Sequence, residues 1–157
     1  MCLRVAGFDF LNTADTDGLA VSVFFQGCGH GCKGCHNREL WDSKGGNEWL
    51  ADVLVEFLAK KTKKGTFNYD YVVLSGGDPL FQRHYHLRRL VEGLVSKGIK
   101  VWMYTGYEYD EVPQWCKDLC YCIKTGKYDP ENYPPLEGSK LASSNQKYYF
   151  QDGRVSD

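Results

Sequence analysis

The 157-residue sequence lacks a surplus of either charge: 19 Lys and Arg stand against 20 Asp and Glu, a net of −1. No strong electrostatic pull toward nucleic acid or a membrane surface is therefore expected. It lacks any run approaching the roughly 18 apolar residues that span a bilayer. The first ten residues carry Arg4 and Asp9 and no apolar h-region, so no secretory leader is read there and a soluble, cytoplasmic protein is expected. Low-complexity tracts, long-period repeats and internal boundaries are also missing, and the length suits one domain over residues 1–157. Neither a P-loop nor a Ser–His–Asp arrangement is evident. The cluster Lys60, Lys61, Lys63 and Lys64 reads as a solvated helix end.

Four short apolar runs, rich in Val, Ile, Phe and Tyr, each end in a polar residue and a glycine. They cover residues 19–25, 71–74, 99–104 and 119–124 and read as strands buried on both faces. Helical periodicity separates them. Trp49, Leu50, Val53, Leu54, Phe57 and Leu58 recur at i, i+3, i+4 spacing, with Asn47 as candidate N-cap and Gly65 beyond the end. Leu87, Leu90, Val91, Leu94 and Val95 repeat the pattern, and a third helix starts near Pro113. A last strand is expected at residues 148–150. Alternating strands and helices predict an α/β fold with a mostly parallel sheet. About five strands are too few for a closed barrel, so an open, partial (βα) barrel is expected. Ligands collect at the C-terminal ends of such strands. That rule places residues 75–79, 104–107 and 125–127 on one rim with the cysteines that follow the first run.

Seven cysteines in a reducing compartment point to metal or catalysis rather than disulfides. Cys28, Cys32 and Cys35 have the spacing Cys-x3-Cys-x2-Cys, interleaved with Gly27, Gly29, Gly31 and Gly34. The glycines let the backbone wrap tightly, and three close thiolates suit one soft metal centre. Three is one short of the four that usually hold an iron–sulfur cluster, which would leave a coordination position open for a substrate. Zinc held by the same cysteines with His30 or His36 is the competing reading.

The triad resembles the signature of radical S-adenosylmethionine enzymes, and Ser75-Gly76-Gly77-Asp78-Pro79 resembles that family's second motif. The resemblance implies a 4Fe–4S cluster on Cys28, Cys32 and Cys35, with S-adenosylmethionine on the remaining iron. Reductive cleavage would then give a 5′-deoxyadenosyl radical that abstracts hydrogen. It further implies cofactor contacts from Gly34, Cys35, His36, Ser75, Gly76, Gly77, Asp78 and Tyr104. Asp78 would be the charge partner of the cofactor's ammonium. Gly34 stands where the family commonly has an aromatic against the adenine, which leaves His36 or Tyr104 for that contact. Gly34 with Cys35-His36-Asn37, and further segments such as Tyr104-Thr105-Gly106-Tyr107, Gly126-Lys127-Tyr128-Asp129 and Ser143-Ser144-Asn145-Gln146, resemble the glycyl-radical-enzyme activases. That branch implies a large anaerobic ribonucleoside-triphosphate reductase as protein substrate and a flavodoxin-like electron donor. A radical enzyme acting on a small metabolite and a non-catalytic zinc-binding interaction module are the alternatives.

Cys116, Cys120 and Cys122 read as small apolar core residues, Cys2 as incidental, and His84 with His86 as an exposed helix start.

Overall fold

The structure is a computed structural model that describes residues 2–65, 67–132 and 140–156; Met1, at the head of the stretch read for a leader, lies outside them. In chain order the elements are β1 (Leu3–Asn12), β2 (Ala20–Phe25), β3 (Asn47–Trp49), α1 (Ala51–Lys64), β4 (Tyr71–Gly76) and α2 (His84–Ser96). They continue with β5 (Lys100–Tyr104), α3 (Gln114–Leu119), β6 (Cys122–Thr125), β7 (Lys147–Phe150) and β8 (Val155–Ser156). One sheet holds all eight strands in the order β3-β1-β2-β4-β5-β6-β7-β8. The central four, β2, β4, β5 and β6, run parallel, and the flanking strands pair antiparallel.

The parallel strands stand side by side in chain order, with no reversal. Right-handed crossovers then lay successive helices on the same face of the sheet. A doubly wound sheet instead reverses its order and has helices on both faces. The winding is thus that of an open, partial barrel. The helix-covered face buries Val21, Val23, Phe25, Leu74 and Met103 against Leu54, Leu58, Leu87, Leu90 and Leu94. The opposite face carries a smaller cluster built on Tyr71, Val73, Trp102, Cys122 and Tyr148. Both faces of the central strands are therefore covered, as their continuous apolar runs require.

Sequence expectation and structure part company at the edges. There are eight strands among the described residues rather than about five. β1 escapes a period-two reading because a bulge between Val5 and Gly7 breaks its phase: Leu3 and Val5 alternate on one side of it, Phe8 and Phe10 on the other. Asn47 caps no helix. Asn47–Trp49 instead pairs with Val5 to Leu3, and Trp49 packs edge-on to Phe8 at 5.7 Å and against Phe57 at 5.2 Å. The helix begins two residues later, at Ala51. Leu119 closes α3 instead of opening a strand, and the strand begins at Cys122. Cys116, Cys120 and Cys122 are buried in the two apolar layers, where desolvation raises their thiol pKa values, Cys116 and Cys122 to about 12. No helix of the described residues is long and apolar enough to cross a membrane.

Leu90 is wholly buried between α2 and the sheet. Leu90→Ala is expected to cost about 2–5 kcal/mol, lowering the thermal midpoint by roughly 5–15 °C. Anaerobic thermal unfolding of the cluster-free chain reads this directly.

Candidate active site

Four strand ends meet at one cavity. Where β2 ends, the chain enters a loop whose root is pinned by later residues. Gly27 N–H donates to Leu40 O at 2.7 Å, Cys28 N–H to Trp41 O at 3.2 Å, and the Gln26 side-chain amide to Glu39 O at 3.0 Å. Cys28, Cys32 and Cys35 follow, all half-buried, and all line a cavity of about 310 Å³. That volume falls within the ~300–1,000 Å³ of small-molecule pockets.

The turn after β4 closes against this loop. Gly77 N–H donates to Phe25 O at 2.8 Å and Asp78 N–H to Gly27 O at 2.9 Å. A Cβ on Gly77 would stand 2.4 Å from Gly27 O and 2.9 Å from Leu40 O. Gly76 has φ +106°, and a Cβ there would meet Phe25 N at 2.3 Å. Glycine is thus required at both positions for space, and at Gly76 for backbone conformation as well.

Ser75, Gly76, Gly77 and Asp78 border the cavity, as do His36 and Tyr104. Gly34 does not. It has φ +74° and backs onto Tyr128, whose Cε1 would be 3.5 Å from a Cβ at Gly34. Tyr128 itself lines the cavity, and its ring lies 5.2 Å from that of His36, tilted by 47°. The aromatic surface missing at position 34 is present from the segment after β6.

Asp78 is 1% exposed. Its Oδ2 accepts from the Thr105 hydroxyl and Gly106 N–H, both at 2.8 Å, and stands 2.7 Å from His30 Nε2. Its Oδ1 accepts from Leu80 N–H at 3.0 Å. The carboxylate expected to meet a cofactor's ammonium is engaged within the chain on both oxygens.

At the far end of the cavity the Lys124 ammonium stands 4.4 Å over the Tyr104 ring. Burial pushes Lys124 down to about 8, with Asp15 pulling the other way. The Tyr104 hydroxyl donates to the backbone carbonyl of Asp15, and burial holds its phenol far above the usual range.

The thiols suit a cluster better than a single ion. Among the described residues no three His, Cys, Asp or Glu side chains are grouped to hold one metal ion. Tetrahedral zinc with Zn–S near 2.3 Å would draw its thiolates to within about 3.8 Å of one another. A cubane offers each cysteine a different iron and needs no such convergence. His30, one of the two expected zinc partners, spends its Nε2 on Asp78; His36, the other, is exposed beside Tyr128. Burial pushes the Cys28 thiol up to about 11, the His30 backbone N–H opposing and the charges of Asp78, Cys32 and Cys35 adding to the rise. A metal centre must therefore displace that proton on binding. Asn37 N–H donates to Cys35 Sγ at 3.5 Å, an amide–sulfur contact of the kind that tunes cluster potential.

The sequence placed Thr105 on the rim and held Tyr128 and Gln146 in family-like segments, but assigned no site contact to these three or to Asp15 and Lys124, all of which line the cavity. The polar-Gly strand endings were the usable signal for Thr105 and Lys124. Nothing in the local sequence marks Asp15, which arrives from the loop before β2.

Residues 14–149 match the family model described as a 4Fe–4S single cluster domain. An anaerobic ribonucleoside-triphosphate reductase-activating protein of Enterobacteria phage T4 is 29% identical over 151 residues, covering 93% of this chain and 91% of the relative. A protein of the same name from Haemophilus influenzae is 31% identical over 127 residues, covering 76% of this chain and 80% of the relative. Among solved structures, QueE from Escherichia coli superimposes with a TM-score of 0.53 at 19% identity, covering 68% of this chain and 53% of that one. This likeness supports the partial-barrel architecture.

The buried ammonium gives a pH signature. Below about pH 8 folded and unfolded chains both hold the Lys124 proton, and the full burial cost is present. Between about 8 and 10.5 the unfolded chain keeps a proton that the folded chain has released, so wild-type stability rises with pH across that window. Lys124→Met is expected to exceed wild type by about 1–3 kcal/mol at pH 7, with the gap narrowing by pH 10. Denaturant titrations at the two pH values check this; a pH-independent gap contradicts it.

Proposed function

The chain belongs to the 4Fe–4S single cluster domain family, among the radical S-adenosylmethionine activating proteins, and from that premise we propose that it installs the glycyl radical of a large anaerobic ribonucleoside-triphosphate reductase. Its cofactors are a 4Fe–4S cluster and S-adenosylmethionine. The cluster is assigned to Cys28, Cys32 and Cys35, and residues 1–157 to one functional domain. When bound, these cofactors supply reductive cleavage of the S–C5′ bond, giving methionine and a 5′-deoxyadenosyl radical that takes hydrogen from a glycine Cα of the reductase. A flavodoxin-like protein is proposed as the electron donor.

The chain's own residues bind and orient. Ser75, Gly76 and Gly77 border the cavity beside the cysteine loop, and their backbone carbonyls are assigned to the cofactor's ammonium. Asp78 borders the same cavity and adds negative charge to the turn. Tyr128 packs beside Gly34 and His36, so His36, Tyr128 and Tyr104 are assigned to the adenosine half. Lys124 brings positive charge to the Tyr104 end.

The observation that carries the reading is the meeting of three cysteines and a Ser-Gly-Gly-Asp turn at one cavity, in a chain matched over 91% of a reductase-activating protein. Anaerobic reconstitution is expected to give four irons and four sulfides per chain, the content of one such cluster. Dithionite with S-adenosylmethionine should then release 5′-deoxyadenosine. With reductase labelled by Cα-deuterated glycine, deuterium should appear in that product. Stoichiometric zinc without 5′-deoxyadenosine would sink the radical reading, and cleavage without deuterium transfer would favour a small-metabolite substrate.

The four-iron content is also expected to separate the two cysteine groups. Cys32→Ala should lose most of its iron, whereas Cys116→Ala, a change in the apolar core, should retain it. Equal iron in both variants contradicts the assignment.

A further inference from the structure

Between Cys28 and Cys32 stand Gly29, His30 and Gly31, so His30 brings the one side chain beyond glycine in that stretch. A stretch flanked by two glycines loses much conformational freedom on ordering, and an anchor must offset that loss. The His30 side chain is 6% exposed and its Nε2 lies 2.7 Å from Asp78 Oδ2. Its ring is held edge-on to Phe81, with centroids 5.0 Å apart, and to Tyr107 at 4.7 Å. Those two rings stack on each other at 5.7 Å. The cage is tight. A Cβ on Gly106 would fall 2.7 Å from His30 Cδ2, and one on Gly29 2.8 Å from Phe81 Cε1.

The carboxylate at the other end of the contact joins three segments. Asp78 belongs to the turn after β4, and Thr105 and Gly106, which donate to the same Oδ2, belong to the turn after β5. An oxygen already accepting from a hydroxyl and an amide meets His30 as an acceptor, so Nε2 carries the proton. Charge-assisted hydrogen bonds of this kind are about twice as strong as neutral ones.

We infer that His30 is the positioning residue of the cysteine loop: its ring, hydrogen-bonded to Asp78 and caged by Phe81 and Tyr107, holds Cys28 and Cys32 in register with the turns after β4 and β5 before any cluster is bound. This rests on the assignment of the cluster to those cysteines. It gives Asp78 a role apart from direct contact with the cofactor, and it makes the two halves of the site one preorganised unit.

The test uses the full chain without cluster, where exchange is read without catalysis. In His30→Leu, amide hydrogen exchange over residues 28–35 should quicken about tenfold or more, the effect of losing one charged hydrogen bond, while α1 and α2 exchange as before. After anaerobic reconstitution and gel filtration this variant should retain less than about half of the wild-type iron. His30→Gln, which keeps a side-chain N–H donor, should restore slow exchange and iron. Wild-type exchange and iron in His30→Leu, or a Gln variant as impaired as Leu, overturns the inference. Should His30→Leu not fold, the wild-type chain decides. Its His30 Nε2 proton should appear as a slowly exchanging signal in a nitrogen-edited proton spectrum, and its absence overturns the inference. If the exchange results hold while deuterium transfer to 5′-deoxyadenosine fails, the loop assignment stands and the reductase as substrate falls.

Discussion

The root of the cysteine loop and the Ser75-Gly76-Gly77-Asp78 turn are in direct backbone contact. β2 and β4 run parallel with Phe25 opposite Gly76, so both chains leave the sheet at the same level. Two backbone hydrogen bonds, Gly77 N–H to Phe25 O and Asp78 N–H to Gly27 O, then bind one departing segment to the other. The contact is so close that a Cβ at Gly77 would collide with Gly27 O. Cys28, Cys32 and Cys35 on one segment and Ser75, Gly76 and Gly77 on the other thereby line a shared cavity whose geometry is inherited from the sheet. Rigid elements hold a site more narrowly than free loops can. Here the buried Phe25 and Leu74 fix the strands that hold it.

The winding of the chain determines what else reaches that cavity. Because β2, β4, β5 and β6 stand in chain order, their crossovers keep the helices on one face and their C-terminal ends in one row. Each strand end adds its own chemistry to the row: thiols after β2, close-packed glycines after β4, the Tyr104 phenol at β5, and the Lys124 ammonium and Tyr128 ring at and after β6. The antiparallel strands extend the sheet on both sides without interrupting this order. β1 also brings its following loop, with Asp15, to the Tyr104 end of the cavity.

The parallel centre and its rim were legible in the sequence because each strand is a short, mostly apolar run closed by a polar residue and glycine. The helices were legible through their leucine spacing. β1 was not, since the bulge at Val5 and Gly7 shifts the alternation by one residue. Nor was Asn47–Trp49, whose polar and aromatic residues mimic a helix start until Phe8 and Phe57 claim Trp49. At the site, the spacing of Cys28, Cys32 and Cys35 marked them as one candidate metal centre, and all three line the cavity. The bonding of Asp78 did not show, because its partners His30, Thr105 and Gly106 lie 48, 27 and 28 positions away in the chain. Tyr128 likewise reaches Gly34 only through the fold.

The three-cysteine loop and the glycine turn are proposed to hold one cluster and one S-adenosylmethionine side by side. Electron–nuclear double resonance on the reduced, reconstituted chain with amino-15N-labelled S-adenosylmethionine tests it most directly. A resolved 15N coupling to the cluster spin is expected, lost in Gly77→Ala, where the added Cβ forces the turn away from Gly27. A cluster spectrum unchanged by the labelled compound in the wild-type chain would contradict it.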